Sequence, residues 1–164
     1  IPYYITSPIL FHLFGERRFV SDAMLMMQRE VADRLIAPIR TKDYGILSVM
    51  TQSYSLPRRL FDVGPRCFHP VPRVTSAVVR LTFRDIEGIT GLEETHRLLV
   101  RNAFGQRRKT LRNSLGGLLS TSEQRERVFG TSGISETARA EELTPEAFVR
   151  LARVYADAGT GTPG

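Results

Sequence analysis

The sequence has very little cysteine and no tryptophan: Cys67 is the only thiol among its 164 residues. One thiol cannot form an internal disulfide, so a hydrophobic core has to hold the fold, and a reducing cytoplasmic environment is expected. No apolar run is long enough to cross a bilayer, and the opening residues lack the basic start and apolar stretch of a secretion signal. These absences exclude disulfide-rich secreted proteins and predict a soluble protein of the cytoplasm.

Acidic residues are missing from one long stretch of an otherwise mixed sequence. Lys and Arg outnumber Asp and Glu by 23 to 17, which gives a net charge of +6. Between positions 95 and 122 there is no acid, whereas the segment 123–146 is rich in Glu. The basic residues of the acid-free stretch are Arg97, Arg101, Arg107, Arg108, Lys109 and Arg112. This uneven distribution predicts contact with a polyanion through one segment and not through the whole surface.

The first half of the chain has the pattern of α/β architecture. Ser7 and Pro8 favour the start of an apolar helix, with Ser7 as its cap. The apolar run 23–28 is typical of a parallel strand that is covered on both faces, and a helix is predicted over 29–37. A further helix is expected to begin near Tyr44, because apolar residues recur there at helical spacing.

Two strands, 56–63 and 74–83, are predicted to form an antiparallel pair joined by a stiff proline-rich loop. A linker over 85–92 divides the chain into a first domain, 1–84, and a helical domain, 93–157. The helical domain is expected to break near Gly105 and to end in a helix that Thr144 caps. The missing initiator Met and the apolar start suggest that residues preceding Ile1 are absent, and 158–164 is expected to be a flexible tail.

The opening residues Ile1-Pro2-Tyr3-Tyr4 resemble the end of the Asn-(Leu/Ile)-Pro-Tyr motif of adenine N6-methyltransferases. In that family, the Asn side chain and the carbonyl at the Pro position accept the hydrogens of the adenine amine. The resemblance implies that the Asn would precede Ile1, that Pro2 supplies the carbonyl, and that Tyr3 stacks on an extruded base for about 1–3 kcal/mol. Taken alone, the tetrapeptide is equally compatible with a strand end that only packs.

A second motif lies in the proline-rich loop, where Phe68-His69-Pro70-Val71-Pro72-Arg73-Val74-Thr75-Ser76 resembles the Phe-x-Pro-x-Pro-x-Val-x-Ser signature of ribosomal RNA adenine dimethyltransferases and their antibiotic-resistance relatives. The resemblance implies that Phe68 forms the second face of the base-binding site, opposite Tyr3. The prolines would keep an exposed ring rigid in the absence of a base. A plain connection between strands is the alternative interpretation.

The third motif, running from Phe104 to Leu115, resembles the helical-domain motif of the small-subunit dimethyltransferases. Three basic residues in the first turn of a helix oppose the helix dipole, so a functional demand is expected there. Arg108 and Arg112, one turn apart on one face, are predicted to pair with phosphates, whereas Arg107 is a candidate for fixing the two domains together. A solvated basic face is the alternative. The predicted RNA-binding residues are Arg73, Arg101, Gln106, Arg107, Arg108, Lys109, Arg112 and Asn113.

The resemblance covers nearly the whole chain and implies the second half of a class I, Rossmann-like methyltransferase sheet followed by a small helical domain. It also implies S-adenosylmethionine as methyl donor and immature small-subunit ribosomal RNA as partner, with two methyl groups added to each of two adjacent adenines. No Gly-x-Gly cofactor loop is present, so the cofactor site would precede Ile1 and the chain alone would be inactive. The complete enzyme is expected to be a monomer, and the chain alone to be open to self-association.

Several alternatives stay open. A non-catalytic RNA-binding or ribosome assembly factor would keep the scaffold without the chemistry, and a resistance-type enzyme would act on large-subunit ribosomal RNA. Cys67 is interpreted as a small buried thiol and not as a nucleophile, because no general base is evident near it in the sequence. The three histidines, His12, His69 and His96, lack the spacing of metal ligands, so no metal site is predicted.

Overall fold

The computed structural model describes residues 5–159. Its helices are α1 (Thr6–Glu16), α2 (Arg29–Ile36), α3 (Ile46–Tyr54), α4 (Glu93–Gly105), α5 (Leu111–Ser114), α6 (Ser122–Ser132) and α7 (Pro145–Asp157). Its strands are β1 (Asp22–Gln28), β2 (Ser55–Val63) and β3 (Ser76–Phe83). Helices and strands alternate in the first half, and only helices follow β3, as the sequence predicts.

The three strands form one antiparallel sheet in the order β1-β3-β2. The predicted pairing of the segments 56–63 and 74–83 is confirmed, because β2 and β3 pair along their length with a bulge between Arg59 and Phe61. The prediction of a parallel, doubly covered strand at 23–28 is wrong for these residues, since β1 pairs antiparallel with β3 and Met24 is 68% exposed. An apolar run by itself does not encode strand direction.

One face of the sheet is buried. Alternate residues of β3, Ala77, Val79 and Leu81, are fully buried, and α2 and α3 pack against the strands. The helix α1 begins at Thr6, so Ser7 lies inside the first turn and is not the cap that the sequence predicts. The apolar side chain of Ile5 occupies the cap position and offers no hydrogen bond.

The second half is a group of helices in which α7 packs against α3, α4 and α6. Thr144 caps α7 as predicted, because its Oγ1 accepts a hydrogen bond from the Ala147 N–H at 3.2 Å. Thr121 caps α6 in the same way through Gln124, and Gly133 ends that helix at a φ of +66°, which glycine adopts without strain. The predicted break after α4 is confirmed at Gly105.

Buried contacts join the two halves into one continuous core. The hydroxyl of Tyr44, which is fully buried, donates to the Leu143 carbonyl at 2.8 Å, and burial together with nearby Glu146 raises the pKa of Tyr44 above its ordinary value. The segment 84–92 also packs closely, because the Ile86 N–H donates to the Ser53 carbonyl and Ile89 is fully buried. The segment 84–92 therefore packs against the rest of the protein.

Arg17 makes a second connection between the halves. Its guanidinium forms ion pairs with Asp85 and with Glu93 at the start of α4, and it lies 4.6 Å from the ring centre of Tyr54. The chain segment after α1, the end of α3 and the start of α4 therefore meet at one arginine. Because Arg17 is mostly shielded from solvent, screening weakens these ion pairs less than it weakens pairs at the surface.

His96, in α4, is completely buried where α4 meets α3. Its Nε2 lies 3.3 Å from Ser53 Oγ, its ring packs edge-on against Tyr54, and its Nδ1 has no hydrogen-bond partner within residues 5–159. Burial without a charged partner disfavours the protonated ring, and the pKa of His96 is lowered to about 4.

We expect His96 to make the folded protein less stable at mildly acidic pH. The unfolded histidine takes up a proton near its ordinary pKa of about 6.5, while the folded one does so only near 4, so stability rises with pH between these values. Lowering the pH from 7.5 to 5 should cost about 2 kcal/mol of unfolding free energy, measured by urea titration. His96→Gln should flatten this dependence, and replacement of the exposed His12 by Gln should preserve it. An unchanged pH slope in His96→Gln would contradict the assignment.

Candidate nucleic-acid interface

The proline-rich loop that follows β2 holds Phe68 in a defined turn. Residues 65–67 form one turn of 3-10 helix, in which the Cys67 N–H donates to the Gly64 carbonyl at 3.1 Å and the Phe68 N–H donates to the Pro65 carbonyl at 3.2 Å. The peptide bond between His69 and Pro70 is cis. Phe68 is half-buried.

This loop lies at the same edge of the sheet as the carboxyl end of β1. Val63 pairs with Ser76, and Ser76 pairs with Gln28, so the ends of β1 and β2 lie together beside the start of β3. The Arg29 N–H, at the start of α2, donates to the Thr75 carbonyl at 3.0 Å and fixes the end of the loop. The carboxyl edge of a sheet is where α/β proteins commonly bind their ligands.

Three predicted site residues, Ile1, Pro2 and Tyr3, lie outside the described residues. The pairing of Tyr3 with Phe68 around a base therefore stays a prediction. The described residues begin at Ile5, directly before α1. Cys67, interpreted from the sequence as buried, is exposed, and that interpretation is wrong. The tight turn that exposes Phe68 also turns the neighbouring thiol outwards, which apolar patterning does not reveal.

The basic motif occupies a turn between two helices. The helix α4 ends at Gly105, residues 106–109 form a turn closed by a 2.8 Å hydrogen bond from the Lys109 N–H to the Gln106 carbonyl, and α5 begins only at Leu111. Three basic side chains therefore precede the helix and do not lie in its first turn, contrary to the sequence-based expectation. Arg108 is consequently not on a helical face with Arg112.

Two arginines of the motif are bound within the protein. Arg107 donates from Nε to Glu141 at 3.2 Å and from Nη2 to the Thr41 carbonyl at 3.1 Å, so it joins the helical half to the connection between α2 and α3. This geometry agrees with the expectation that Arg107 fixes the two domains together. Arg112 forms a 3.0 Å ion pair with Glu136.

The other predicted RNA-binding residues are exposed, and their side chains form no hydrogen bond or ion pair to any residue in the range 5–159: Arg73, Arg101, Gln106, Arg108, Lys109 and Asn113. Arg73 lies in the loop of Phe68, and the others belong to α4, the basic turn and α5. Exposed, unpaired cations keep their full hydrogen-bonding capacity for phosphate oxygens. The basic turn thus combines arginines that position it with side chains that are free to bind.

Arg97 and Asn102 are not among the residues that the sequence predicts for the site, yet they line a cleft of about 540 Å³ together with Arg101 and Gln106. Arg97 and Arg101 are four residues apart, and Asn102 and Gln106 are also four residues apart, on the neighbouring row. This spacing is the sequence signal that indicates a shared face.

No group of His, Cys, Asp or Glu within the described ranges is arranged to hold a metal ion. None of the helices over residues 5–159 is long and apolar enough to span a membrane. Five clefts of 190 to 540 Å³ are lined mainly by helical residues and by the segment 83–90, and none of these five is lined by Phe68 or by a residue of β1.

Two solved structures share this fold. A dimethyladenosine transferase from Plasmodium falciparum superimposes with a TM-score of 0.85 over 97% of this chain and 66% of that chain, at 24% identity. The 23S rRNA methyltransferase ErmE superimposes with a TM-score of 0.61 over 95% of this chain and 63% of that chain, at 29% identity. The α/β fold is therefore that of ribosomal RNA methyltransferases.

Curated relatives match nearly the whole chain. Proteins named ribosomal RNA small subunit methyltransferase A are 47% identical in Methylococcus capsulatus, over 93% of this chain and 58% of the relative, and 47% identical in Salinibacter ruber, over 93% and 50%. The chain thus spans about half the length of the curated relatives that it matches. The model of the family described as ribosomal RNA adenine dimethylase matches residues 1–157. The chain belongs to the ribosomal RNA adenine dimethylase family.

Proposed function

We propose that this chain is the base-binding and RNA-docking portion of an S-adenosylmethionine-dependent enzyme that dimethylates N6 of adjacent adenines in small-subunit ribosomal RNA. The observation that carries the proposal is Phe68, held half-exposed on a braced turn at the carboxyl edge of the sheet. Membership of the dimethylase family and the names of the relatives support it. Cells would carry out this reaction on immature small subunits in the cytoplasm.

In this proposal, Phe68 and Tyr3 stack on opposite faces of an adenine that has left its helix. Stacking orients the purine, and the Pro2 carbonyl accepts one amine hydrogen; in the family that the opening residues resemble, an Asn side chain accepts the other. The amine of adenine is a poor nucleophile because its lone pair is delocalised into the ring. Binding both hydrogens concentrates the lone pair on nitrogen and directs it out of the plane.

S-adenosylmethionine would supply the methyl group when it is bound. The chain's own contribution is to extract, orient and polarise the base. The proposed chemistry needs the bound cofactor as well as this segment, which covers 58% and 50% of the two relatives.

RNA docking is assigned to the free side chains of the basic turn. Arg108 and Lys109 are exposed and uncompensated within residues 5–159, so they can pair with backbone phosphates. Arg107 would position the basic turn, because its hydrogen bonds to Glu141 and Thr41 hold the turn against the sheet half. An assembly factor without catalysis would use the same docking residues and would not need Phe68. A large-subunit target is not favoured, because the relatives at 44–47% identity are named for the small subunit.

Phe68→Ala tests the base-binding role in a chimera that joins this chain to the preceding half of the Methylococcus capsulatus relative. We expect methyl transfer from labelled S-adenosylmethionine to unmodified small subunits in the parent chimera. Phe68→Ala should lower kcat by about 5- to 150-fold, because one stacking face is worth about 1–3 kcal/mol, with RNA affinity changed about twofold or less.

Phe61 provides a matched control, because it is also a phenylalanine of the exposed surface, at 58% exposure, but lies within β2. Phe61→Ala should retain turnover. Equal turnover in Phe68→Ala and the parent would remove Phe68 from the site, and RNA binding without any methyl transfer in the parent would support the assembly factor.

Arg107 and Arg108, although adjacent, should respond differently to replacement by alanine. Arg107→Ala should reduce the unfolding free energy by about 1 kcal/mol, since it loses two hydrogen bonds at a partly exposed position. Arg108→Ala should leave stability within about 0.5 kcal/mol, weaken binding to a ribosomal RNA hairpin, and reduce the salt dependence of binding by about one unit of slope.

The Glu141→Ala variant and the Arg107→Ala/Glu141→Ala double variant complete this test. Because the two side chains are in contact, their effects on stability should not add. Additive effects, or a loss of stability in Arg108→Ala equal to that in Arg107→Ala, would contradict the division of roles.

A further inference from the structure

The cleft lined by Arg97, Arg101, Asn102 and Gln106 is defined by helical geometry. Arg97 and Arg101 are four residues apart and form one row on α4, and Leu98 and Asn102 form the neighbouring row. Gln106, which follows α4, and Ser114 of α5 also line the cleft. The volume of about 540 Å³ lies within the range of pockets that bind a small organic ligand.

The charges in this cleft are uneven along α4. Glu94 forms an ion pair with Arg97, one turn apart, so that pair is nearly neutral. Arg101, one turn further on, has no acidic partner among the described residues, and the sequence has no acid from position 95 to 122. The end of the cleft next to the basic turn therefore has an unbalanced guanidinium that suits a phosphate.

The other wall is suited to a nucleobase. Leu98 is half-buried and offers an apolar surface, while Asn102 donates its amide N–H to the Leu98 carbonyl at 2.9 Å and keeps its Oδ1 as a free acceptor. Gln106 is exposed, and its amide makes no hydrogen bond within residues 5–159. Amide groups of this kind present both a donor and an acceptor to the edge of an unpaired base.

We propose that this cleft binds a single unpaired nucleotide of the RNA, with its phosphate on Arg101 and its base against Leu98, Asn102 and Gln106. The proposal rests on the proposed function in that the ligand is RNA. It assigns a second nucleotide site, separate from the loop of Phe68 and continuous with the basic turn. Binding there would select RNA that carries an unpaired residue beside the helix to which Arg108 and Lys109 dock.

Gly105 allows the cleft to be filled without damage to the fold. It lines the cleft, its φ is not in the left-handed region, and a Cβ atom added to it would meet no atom within 4 Å. Gly105→Leu would therefore place a side chain into the open space, and leucine is a better helix former than glycine by roughly 1 kcal/mol. Gly105→Ala gains helix stability without filling the cleft and serves as its control.

The test uses fluorescence anisotropy with two labelled RNA hairpins, one with a single bulged adenosine in the stem and one with the stem fully paired. All variants carry Phe68→Ala, so that the loop of Phe68 does not contribute to the preference. The Phe68→Ala parent should bind the bulged hairpin about tenfold more tightly than the paired one. Gly105→Leu and Arg101→Gln should each remove most of this preference, while Gly105→Ala and Arg150→Gln, an exposed arginine of α7, should keep it.

The outcomes separate the two proposals. If Gly105→Leu keeps the full preference for the bulged hairpin, or weakens both hairpins equally, the nucleotide site is wrong. Arg108→Ala should weaken both hairpins, so its effect tests RNA docking independently of the cleft. If neither Arg108→Ala nor Gly105→Leu changes binding to either hairpin, the RNA-docking part of the proposed function fails together with the cleft.

Discussion

The packing of α3 against α4 and α7 is the constraint on which the rest of the structure depends. These helices come from both halves of the chain, and they bury Tyr44, His96 and Phe148 completely. A completely buried hydroxyl needs a hydrogen-bond acceptor, and the Leu143 carbonyl can reach Tyr44 only when the two halves are docked. The orientation of the basic turn relative to the sheet is therefore set by core packing, and surface ion pairs only reinforce it.

This constraint explains why adjacent residues of one basic motif have different environments. Arg107 faces the sheet half and bonds to Thr41 and Glu141, whereas Arg108 and Lys109 extend into solvent. Like charges that lie close together repel one another and destabilise the folded state. The ion pairs of Arg107 with Glu141 and of Arg112 with Glu136 reduce this repulsion. The uncompensated charges of the motif, Arg108 and Lys109, lie between α4 and α5, where the proposed RNA ligand would supply anions.

Local sequence patterns predict much of the fold. The β2 and β3 pair, the break at Gly105 and the cap at Thr144 each depend on local chemistry, namely alternation, a weak helix former and a cap followed by proline. The direction of β1 and the exposure of Cys67 depend on neighbours that are distant in sequence, and local patterns do not encode them. The cap of α1 lies two residues earlier than predicted, at Ile5 and not at Ser7, because the helix extends past Ser7 and begins at Thr6.

The candidate site also has parts that local sequence predicts and parts that it does not. Phe68 and the basic residues were proposed for the site from motifs, but the motif placed those basic residues in the first turn of a helix and not in the turn that precedes α5. The bonds of Arg107 and the cleft of Arg97 and Asn102 arise from tertiary placement and helix faces, and the motif alone does not distinguish a free arginine from a bound one. Charge counting predicted an anion-binding segment but not which of its arginines are available.

The exposure of Cys67 has a practical consequence for studying base capture. It is the single thiol of the chain, and it is the immediate neighbour of Phe68 in a turn closed by two backbone hydrogen bonds. A maleimide dye or a nitroxide would couple there without removal of any competing cysteine. Its emission or its spectral line shape would then report, in real time, the arrival of a purine at the adjacent ring.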